Sequence, residues 1–477
     1  MQENVFEHIE ILDAGSEGKA IARVGDLVIF VPFVVPGDVV DIQLVRKKKS
    51  YLEGKAIRFH KYSEKRQDPF CEHFGICGGC RWQNMKYEEQ LFYKQKQVKD
   101  AIQRIGKIEN PNIHSILSSP ESMYYRNKLE YSFSNHRWLT TGDKTEAGRV
   151  DDKGMNALGF HIPLLFDKVL DINHCYLQAD PSNAIRLEAR KYALERNLSF
   201  YDVRIWKGFL RNLLIRTTMT GNVMVIFVFL TDDKEEIKLL LDHMLSKFPE
   251  ITSIYYVING KKNDVITDLP FIHYKKDPYI TEKMITFARE KEVEFQIRPA
   301  SFFQTNTTQA FNLYRKAGEY AGFTGDETVY DLYSGIGTIS SFIAGSVKKV
   351  IGIESVPSAV EDARGNMQRN GIPNISFFAG ETEKLLTPEF IEQQGKPDII
   401  ITDPPRAGMH EKVVKAILNA APRKIVYVSC NPATQARDIA LLKDQYDLIE
   451  CQPVDMFPHT QHVENIALLV RKIPLID

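Results

Sequence analysis

The chain has 477 residues, with 61 Lys plus Arg against 62 Asp plus Glu, a net charge of -1 and 43% apolar residues. It is too long for a single core and ordinary in composition, which excludes a disordered, collagenous or globally basic chain. No apolar run approaches a membrane span and the N-terminus lacks a signal-peptide layout, so a cytoplasmic protein with no membrane partner is expected. The chain has six cysteines, which argues against a disulfide framework.

Residues 1–62 read as short strands broken by tight turns. Leu27–Val31 and Val39–Ile42 are apolar runs, punctuated by Gly15, Gly18, Gly25 and Pro36-Gly37. That spacing suits a small five-stranded, OB-like barrel. Between Arg46 and Arg66 nine Lys or Arg stand against two acids, Glu53 and Glu64, with Tyr51, Phe59, His60 and Tyr62 interleaved. Such a strip offers charge to a phosphate backbone and rings to bases, so RNA or DNA is an expected partner. Its bland alternative is a solvated face.

Residues 63–290 read as a second, β-rich domain. It opens with Cys71, Cys77 and Cys80, a C-x5-C-x2-C run with Gly75, Gly78 and Gly79 among its spacers, and Cys175 downstream can close a four-thiolate set. Four thiolates suit zinc or an iron–sulfur cluster, and spacing does not choose between them. His73 and His174 read as neighbours of the set rather than ligands, and Cys451 as core. Tyr87–Ile105 is a helix dense in Glu, Gln and Lys, a candidate to pack on the last domain. Asn222–Leu230 reads as a strand and Lys234–Phe248 as an amphipathic helix.

From residue 291 to 477 strand candidates alternate with helices, which implies an α/β fold with a parallel sheet covered on both faces. Asp331-Leu332-Tyr333-Ser334-Gly335-Ile336-Gly337 ends the first strand. Gly335 and Gly337 let the backbone turn sharply beside a ligand, and Glu354, at the tip of the next strand, is placed for ribose hydroxyls. The third glycine of a dinucleotide turn is missing, which favours S-adenosylmethionine over a pyrophosphate cofactor. Asp403 opens D-P-P-R at the end of the fourth strand and shares a crevice edge with Tyr333 and Glu354. Read alone, D-P-P is a rigid turn as readily as a site.

Cys430 ends the next strand, in S-C-N-P. A thiol is by itself more often a small core hydrophobe. Here Asn431-Pro432 stops the strand and leaves the thiol at the rim, and Glu464 precedes the last apolar strand on the same side. Amine methylation needs no thiol. Carbon C5 of a pyrimidine is a poor nucleophile until a thiolate adds at C6, and a base must then remove the C5 proton. Cys430 and Glu464 supply that inventory.

F-F-Q-T-N from Phe302, D-L-Y-S-G-I-G from Asp331, D-P-P-R from Asp403, S-C-N-P from Ser429 and H-V-E-N from His462 together resemble the RNA 5-methyluridine methyltransferases. The resemblance implies a C-terminal Rossmann-like methyltransferase domain, a β-rich central domain and an N-terminal barrel of the TRAM type. That layout is the one of the 23S ribosomal RNA branch; tRNA is the alternative substrate and exocyclic-amine methylation the rival chemistry. A non-catalytic RNA-binding protein is the third class. By the same resemblance Cys430 is the nucleophile and Glu464 the base. Gln304, Tyr333, Glu354 and Asp403 match S-adenosylmethionine contacts, and Phe302 and Gln304 meet a base flipped out of the RNA. Tyr333 and Thr338 stand where relatives often have Phe and Asn. The resemblance also turns Cys71, Cys77, Cys80 and Cys175 toward a 4Fe–4S cluster with a structural or RNA-facing role, in an enzyme expected to be monomeric.

Overall fold

The computed structural model describes residues 5–15, 17–140, 143, 154–288 and 291–473. Strands β1 (Val5–Ala14), β2 (Ala20–Val24), β3 (Leu27–Val31), β4 (Val39–Lys47) and β5 (Leu52–Lys61) close into a barrel in the order β1-β2-β3-β5-β4. Ile11, Ala22, Ile29, Val31, Val40 and Ile42 fill it. Gly54 is required by that closure, because a Cβ there would stand 2.4 Å from Ile42. Buried Asp38 accepts from Arg66 Nε and Nη2 at 2.7 Å each and from the Ser63 N–H at 2.9 Å, which ties the departing chain back onto the barrel.

Part of the basic strip is thereby internal. Arg66 pairs with Asp38 and lies over Phe59 and Tyr62, which stack on each other, and Lys65 pairs with Glu89 at 2.9 Å. Arg46, Lys47, Lys49, Lys55, Arg58 and Lys61 stay exposed.

Helix α1 (Tyr87–Arg104) follows and buries Val98 and Ile102 in the core of the C-terminal domain. The central sheet comprises β6 (Lys128–Ser134), β7 (Ala157–Ile162), β8 (Leu165–Asp171), β9 (Leu210–Thr217), β10 (Val223–Phe229), β11 (Ile251–Ile258) and β12 (Ile272–Lys276). Its order is β12-β11-β10-β9-β6-β7-β8. Strand β10, Val-Met-Val-Ile-Phe-Val-Phe, is buried throughout, as a central strand covered on both faces must be. Helices α2 (Ser182–Glu195) and α3 (Lys234–Lys247) share its core.

The hairpin of β13 (Ile280–Ile285) and β14 (Glu292–Ile297) belongs to the C-terminal core, where Met284, Val293 and Phe295 are buried with Val329 and Val350. Then come α4 (Thr307–Ala321), β15 (Thr328–Leu332), α5 (Thr338–Ile343), β16 (Lys349–Glu354), α6 (Pro357–Arg369) and β17 (Ile375–Ala379). The chain continues through α7 (Thr382–Leu385), α8 (Pro388–Gln394), β18 (Ile399–Thr402), α9 (Glu411–Ala420) and β19 (Lys424–Ser429). It closes with α10 (Pro432–Leu442), β20 (Tyr446–Val454) and β21 (Glu464–Arg471).

Seven of these strands form a doubly wound sheet in the order β17-β16-β15-β18-β19-β21-β20. The sheet departs from the all-parallel expectation at one edge: β21 runs antiparallel to both β19 and β20. No helix separates β20 from β21, and without a crossover only antiparallel pairing is open to them. The outer edge at β20 is covered by the segment around Ile113 and Leu117, which adds parallel bridges to Cys451 and Val454. Among the described residues no helix is long and apolar enough to cross a membrane.

Candidate active site

The order of the sheet reverses between β15 and β18, and a ligand crevice forms at the carboxyl ends beside such a switch point. A cavity of about 540 Å³ lies there. Phe302, Gln304, Tyr333, Gly335, Glu354, Asp403, Cys430 and Glu464 all line it. Gly337 does not. It caps α5 at φ 78° with Phe377 where its Cβ would be, so it serves the close approach of helix and sheet. Phe302 stands at the mouth, 67% exposed.

The β15 turn is shaped by more than its glycines. Tyr333 itself has φ 65°, a left-handed conformation that costs a bulky side chain energy and clusters at functional sites. Glu354 braces the turn: one carboxylate oxygen accepts the Gly335 N–H at 3.0 Å, the other the Val356 N–H at 2.8 Å. Asp331, fully buried, accepts from Ser340 N and Oγ on one oxygen, while its other oxygen has no hydrogen-bond partner.

Register brings the thiol and the carboxyl together. Ser429 on β19 pairs with Asn465 on the antiparallel β21, so Cys430 and Glu464 follow as neighbours across the two strand ends. Asn431 caps α10 by accepting the Ala433 N–H at 3.1 Å, with Pro432 in the first turn. Its Nδ2 donates to the Arg406 carbonyl at 3.1 Å, which staples the D-P-P-R loop to the S-C-N-P turn. Asn465, the last residue of H-V-E-N, donates to Gln435 Oε1 at 2.7 Å and locks α10 to β21.

The cavity is acidic. Burial, then the charge of Asp403, pushes Glu464 well above the usual carboxylate range. Burial, then the nearby Asp331, pushes Asp403 up to about 7, and burial does the same to Asp331, which does not line the cavity. The Cys430 thiol is pushed up to about 11 by burial and by the carboxylates of Glu464 and Asp403, with Arg406 opposing. Arg406 is the one Lys, Arg or His among the described residues of the wall. Such a site suits a cationic ligand: positive charge placed beside these groups offsets their repulsion and lowers the thiol.

Arg406, Tyr314 and Phe457 line the same cavity and were not singled out from sequence. Arg406 carries a signal, a lone cation in a motif of one acid and two prolines. Phe457 and Tyr314 carry none, because only the fold brings them there.

A second cavity of about 410 Å³ is lined by Cys71, Cys77, Cys80 and Cys175 together with His73, Phe74 and Arg126. Burial pushes Cys77 and Cys80 up to about 12. His73 Nε2 accepts the Asn173 N–H at 2.9 Å, and His174 packs on Tyr176, so both rings already have neighbours of their own. Among the described residues, His8, Asp41 and His60 alone bring three candidate ligand atoms within 4.8 Å of one another. No three of the four sulfurs are therefore that close, whereas tetrahedral zinc, with bonds of about 2.3 Å, needs sulfurs about 3.8 Å apart.

The family model described as tRNA (Uracil-5-)-methyltransferase matches residues 270–472, and that of the TRAM domain residues 7–57. A protein of Bacteroides thetaiotaomicron named uncharacterized RNA methyltransferase is 55% identical over 95% of this chain and 99% of its own. One of the same name from Porphyromonas gingivalis is 51% identical over 97% and 99%. The crystal structure of Pyrococcus abyssi tRNA (uracil-54, C5)-methyltransferase in complex with S-adenosyl-L-homocysteine is similar over 97% of this chain and 99% of that one, with TM-score 0.73 and 28% identity.

Proposed function

Since this chain belongs to the RNA (uracil-5-)-methyltransferase family in its TRAM-bearing form, we propose that it transfers the methyl group of S-adenosylmethionine to C5 of a uridine in RNA. One observation carries the reading: the β19–β21 register sets a thiol beside a carboxyl inside an acidic crevice at the switch point. The sulfonium and ammonium of the donor supply the cationic charge that Asp403 and Glu354, on the cavity wall, lack in ion-pair partners among the described residues. The Pyrococcus enzyme holds the demethylated product of that donor.

The target base leaves the RNA stack to reach the crevice. Cys430 Sγ, as thiolate, forms a bond to C6, and the displaced π electrons collect on the C4 carbonyl oxygen and C5. C5 attacks the methyl carbon in line, the methyl–sulfonium bond breaks and its electron pair stays on sulfur. Glu464 takes the C5 proton, the electrons return to form the C5–C6 double bond, and Sγ departs as thiolate. Arg406 opposes the raised thiol and carboxyl, and a carboxyl raised by burial binds a proton more strongly than an ordinary carboxylate does. Phe302 at the mouth and the buried Gln304 are the base contacts in this reading.

The substrate we favour is 23S ribosomal RNA, on the barrel with its exposed lysines and the four-cysteine set. The similarity to an enzyme acting on uracil-54 of tRNA favours tRNA as the second reading. Residues Cys71, Cys77, Cys80 and Cys175 would hold a 4Fe–4S cluster in this reading: four thiols line one cavity, and no three of them lie as close together as one zinc ion needs. Bound there, a cluster supplies cross-linking of the segment 71–80 to Cys175. Mapping 5-methyluridine by mass spectrometry in rRNA and tRNA from a deletion strain tests the whole reading. Loss of one 5-methyluridine in 23S rRNA is expected, loss in tRNA alone selects the second reading, and loss of a methylated amine in place of 5-methyluridine rejects both.

A further inference from the structure

Residues 455–463 join β20 to β21 and carry Phe457 onto the wall of the catalytic cavity. The backbone of Phe457 is gripped from both sides. Its N–H donates to Asp455 Oδ1 at 3.1 Å, and its carbonyl accepts from Lys94 Nζ at 3.0 Å. Lys94 and Asp455 are themselves an ion pair at 2.6 Å with both side chains fully buried, and Tyr87 donates to the second Asp455 oxygen at 2.8 Å. Tyr87 and Lys94 lie on α1, which also packs on α10, the helix that follows Cys430.

A buried ion pair contributes little net stability compared with apolar residues of the same volume. What it adds is fixed geometry, and here the geometry falls on the two backbone groups of one cavity residue. The Arg126 guanidinium lies over the Phe457 ring at 5.7 Å from its centroid and the His462 ring packs on it edge-to-face at 6.2 Å, while the side chain still lines the cavity. We propose that Phe457 is a second ring against the target uracil, inside the cavity as Phe302 is at its rim, and that the Lys94–Asp455 pair is the positioning device that fixes it.

The inference rests on the uracil-C5 reading of this cavity. A flipped base has lost its stacking neighbours, and an aromatic side chain replaces part of that contact. C6 must also meet Cys430 while C5 faces Glu464, which holds only if the plane of the base is restricted. A ring anchored through its own backbone restricts it, where a ring on a mobile loop does not.

The test follows the covalent adduct of the full-length enzyme with 5-fluorouridine RNA at saturating S-adenosylmethionine, on denaturing gels. Phe457→Ala is expected to slow adduct formation about tenfold or more with affinity for S-adenosylmethionine unchanged. Lys94→Met alone leaves a buried carboxylate unpaired, so the deciding variant is Lys94→Met/Asp455→Leu, which removes both charges. That double variant is expected to melt with the wild type and to slow the adduct in the same direction. A wild-type adduct rate in the folded double variant overturns the positioning role, and a wild-type rate in Phe457→Ala overturns the ring's contact with the base. An unmodified enzyme that forms no adduct at all sinks the uracil-C5 reading instead.

Discussion

Among the described residues, the cysteine cavity and the catalytic cavity both gather acidic side chains, and they differ in how alike those groups are. In the cysteine cavity four thiols of one kind face the same space, with Glu130 as the one carboxyl on the described wall. In the catalytic cavity a thiol and several carboxyls arrive from different strand ends, each with its own environment. Glu354 is engaged by two backbone N–H groups, and Glu464 lies beside Asp403. Equivalent groups suit a charge that never changes, such as a permanently bound cation or cluster. Inequivalent groups suit a site whose protons and charges move in each turnover, because one group can then give up what its neighbour takes. Burial raises the thiols of both cavities, so burial alone does not mark the catalyst.

The largest effect separates the thiols of the two cavities. Cys430→Ala is expected to abolish the 5-fluorouridine adduct and to cost about 10⁴-fold or more in turnover, the scale of removing a covalent nucleophile. Binding of S-adenosylmethionine should survive, as seen by calorimetry. An adduct that persists in this variant moves the nucleophile elsewhere. Glu464→Gln comes next, at about 10²- to 10⁴-fold in turnover, the range of a general base. Here the covalent species with ordinary uridine RNA should accumulate, because C6–S cleavage waits on loss of the C5 proton. Normal release would reject Glu464 as the base.

Cys80→Ala reverses the pattern. Bound iron and sulfide, assayed in the purified protein, should be lost with about 4 kcal/mol or more of stability, in line with loss of a structural metal site. Affinity for S-adenosylmethionine should be unaltered in whatever fraction stays folded. Stoichiometric zinc in the wild-type protein would replace the cluster reading, and a fall in donor affinity would erase the contrast between the cavities.

The legibility of the two cavities differs for a physical reason. The glycine turn, D-P-P-R and S-C-N-P are short and lie at strand ends, where local backbone demands dictate residue type, so Gly335, Glu354, Asp403 and Cys430 could be read along the chain. The barrel was legible in the same way, from its turn residues. Glu464 could be nominated but not paired with Cys430, because that needs the antiparallel register of β21. The left-handed Tyr333 gave no sign, since its conformation is imposed by the turn around it. Lys94 and Asp455 are 361 positions apart and each looks like an ordinary charged residue. Gly337 reads with Gly335 as a turn beside a ligand, and nothing along the chain signals that its missing Cβ also makes room for Phe377.

The smallest effect sharpens the claim that the catalytic cavity selects positive charge. Asp331 and Asp403 are raised by burial to about 7. Between the usual carboxylate range and that value the folded chain holds protons that the unfolded chain has released. Stability of the protein without donor should therefore fall as pH rises from about 4 to about 7 through these two groups. Over the same interval, and on to about pH 8, ionisation of the pair strengthens the site for a cation. The dissociation constant of S-adenosylmethionine should tighten with pH, by at most about tenfold per pH unit for each linked proton. S-adenosylhomocysteine has the same adenosine and the same ammonium but no sulfonium charge, so its constant should change less. The ratio of the two, measured by calorimetry across the range, isolates the charge on sulfur. A ratio that does not vary with pH would mean that Asp331 and Asp403 do not feel the sulfonium, and that product leaves for a reason other than its lost charge.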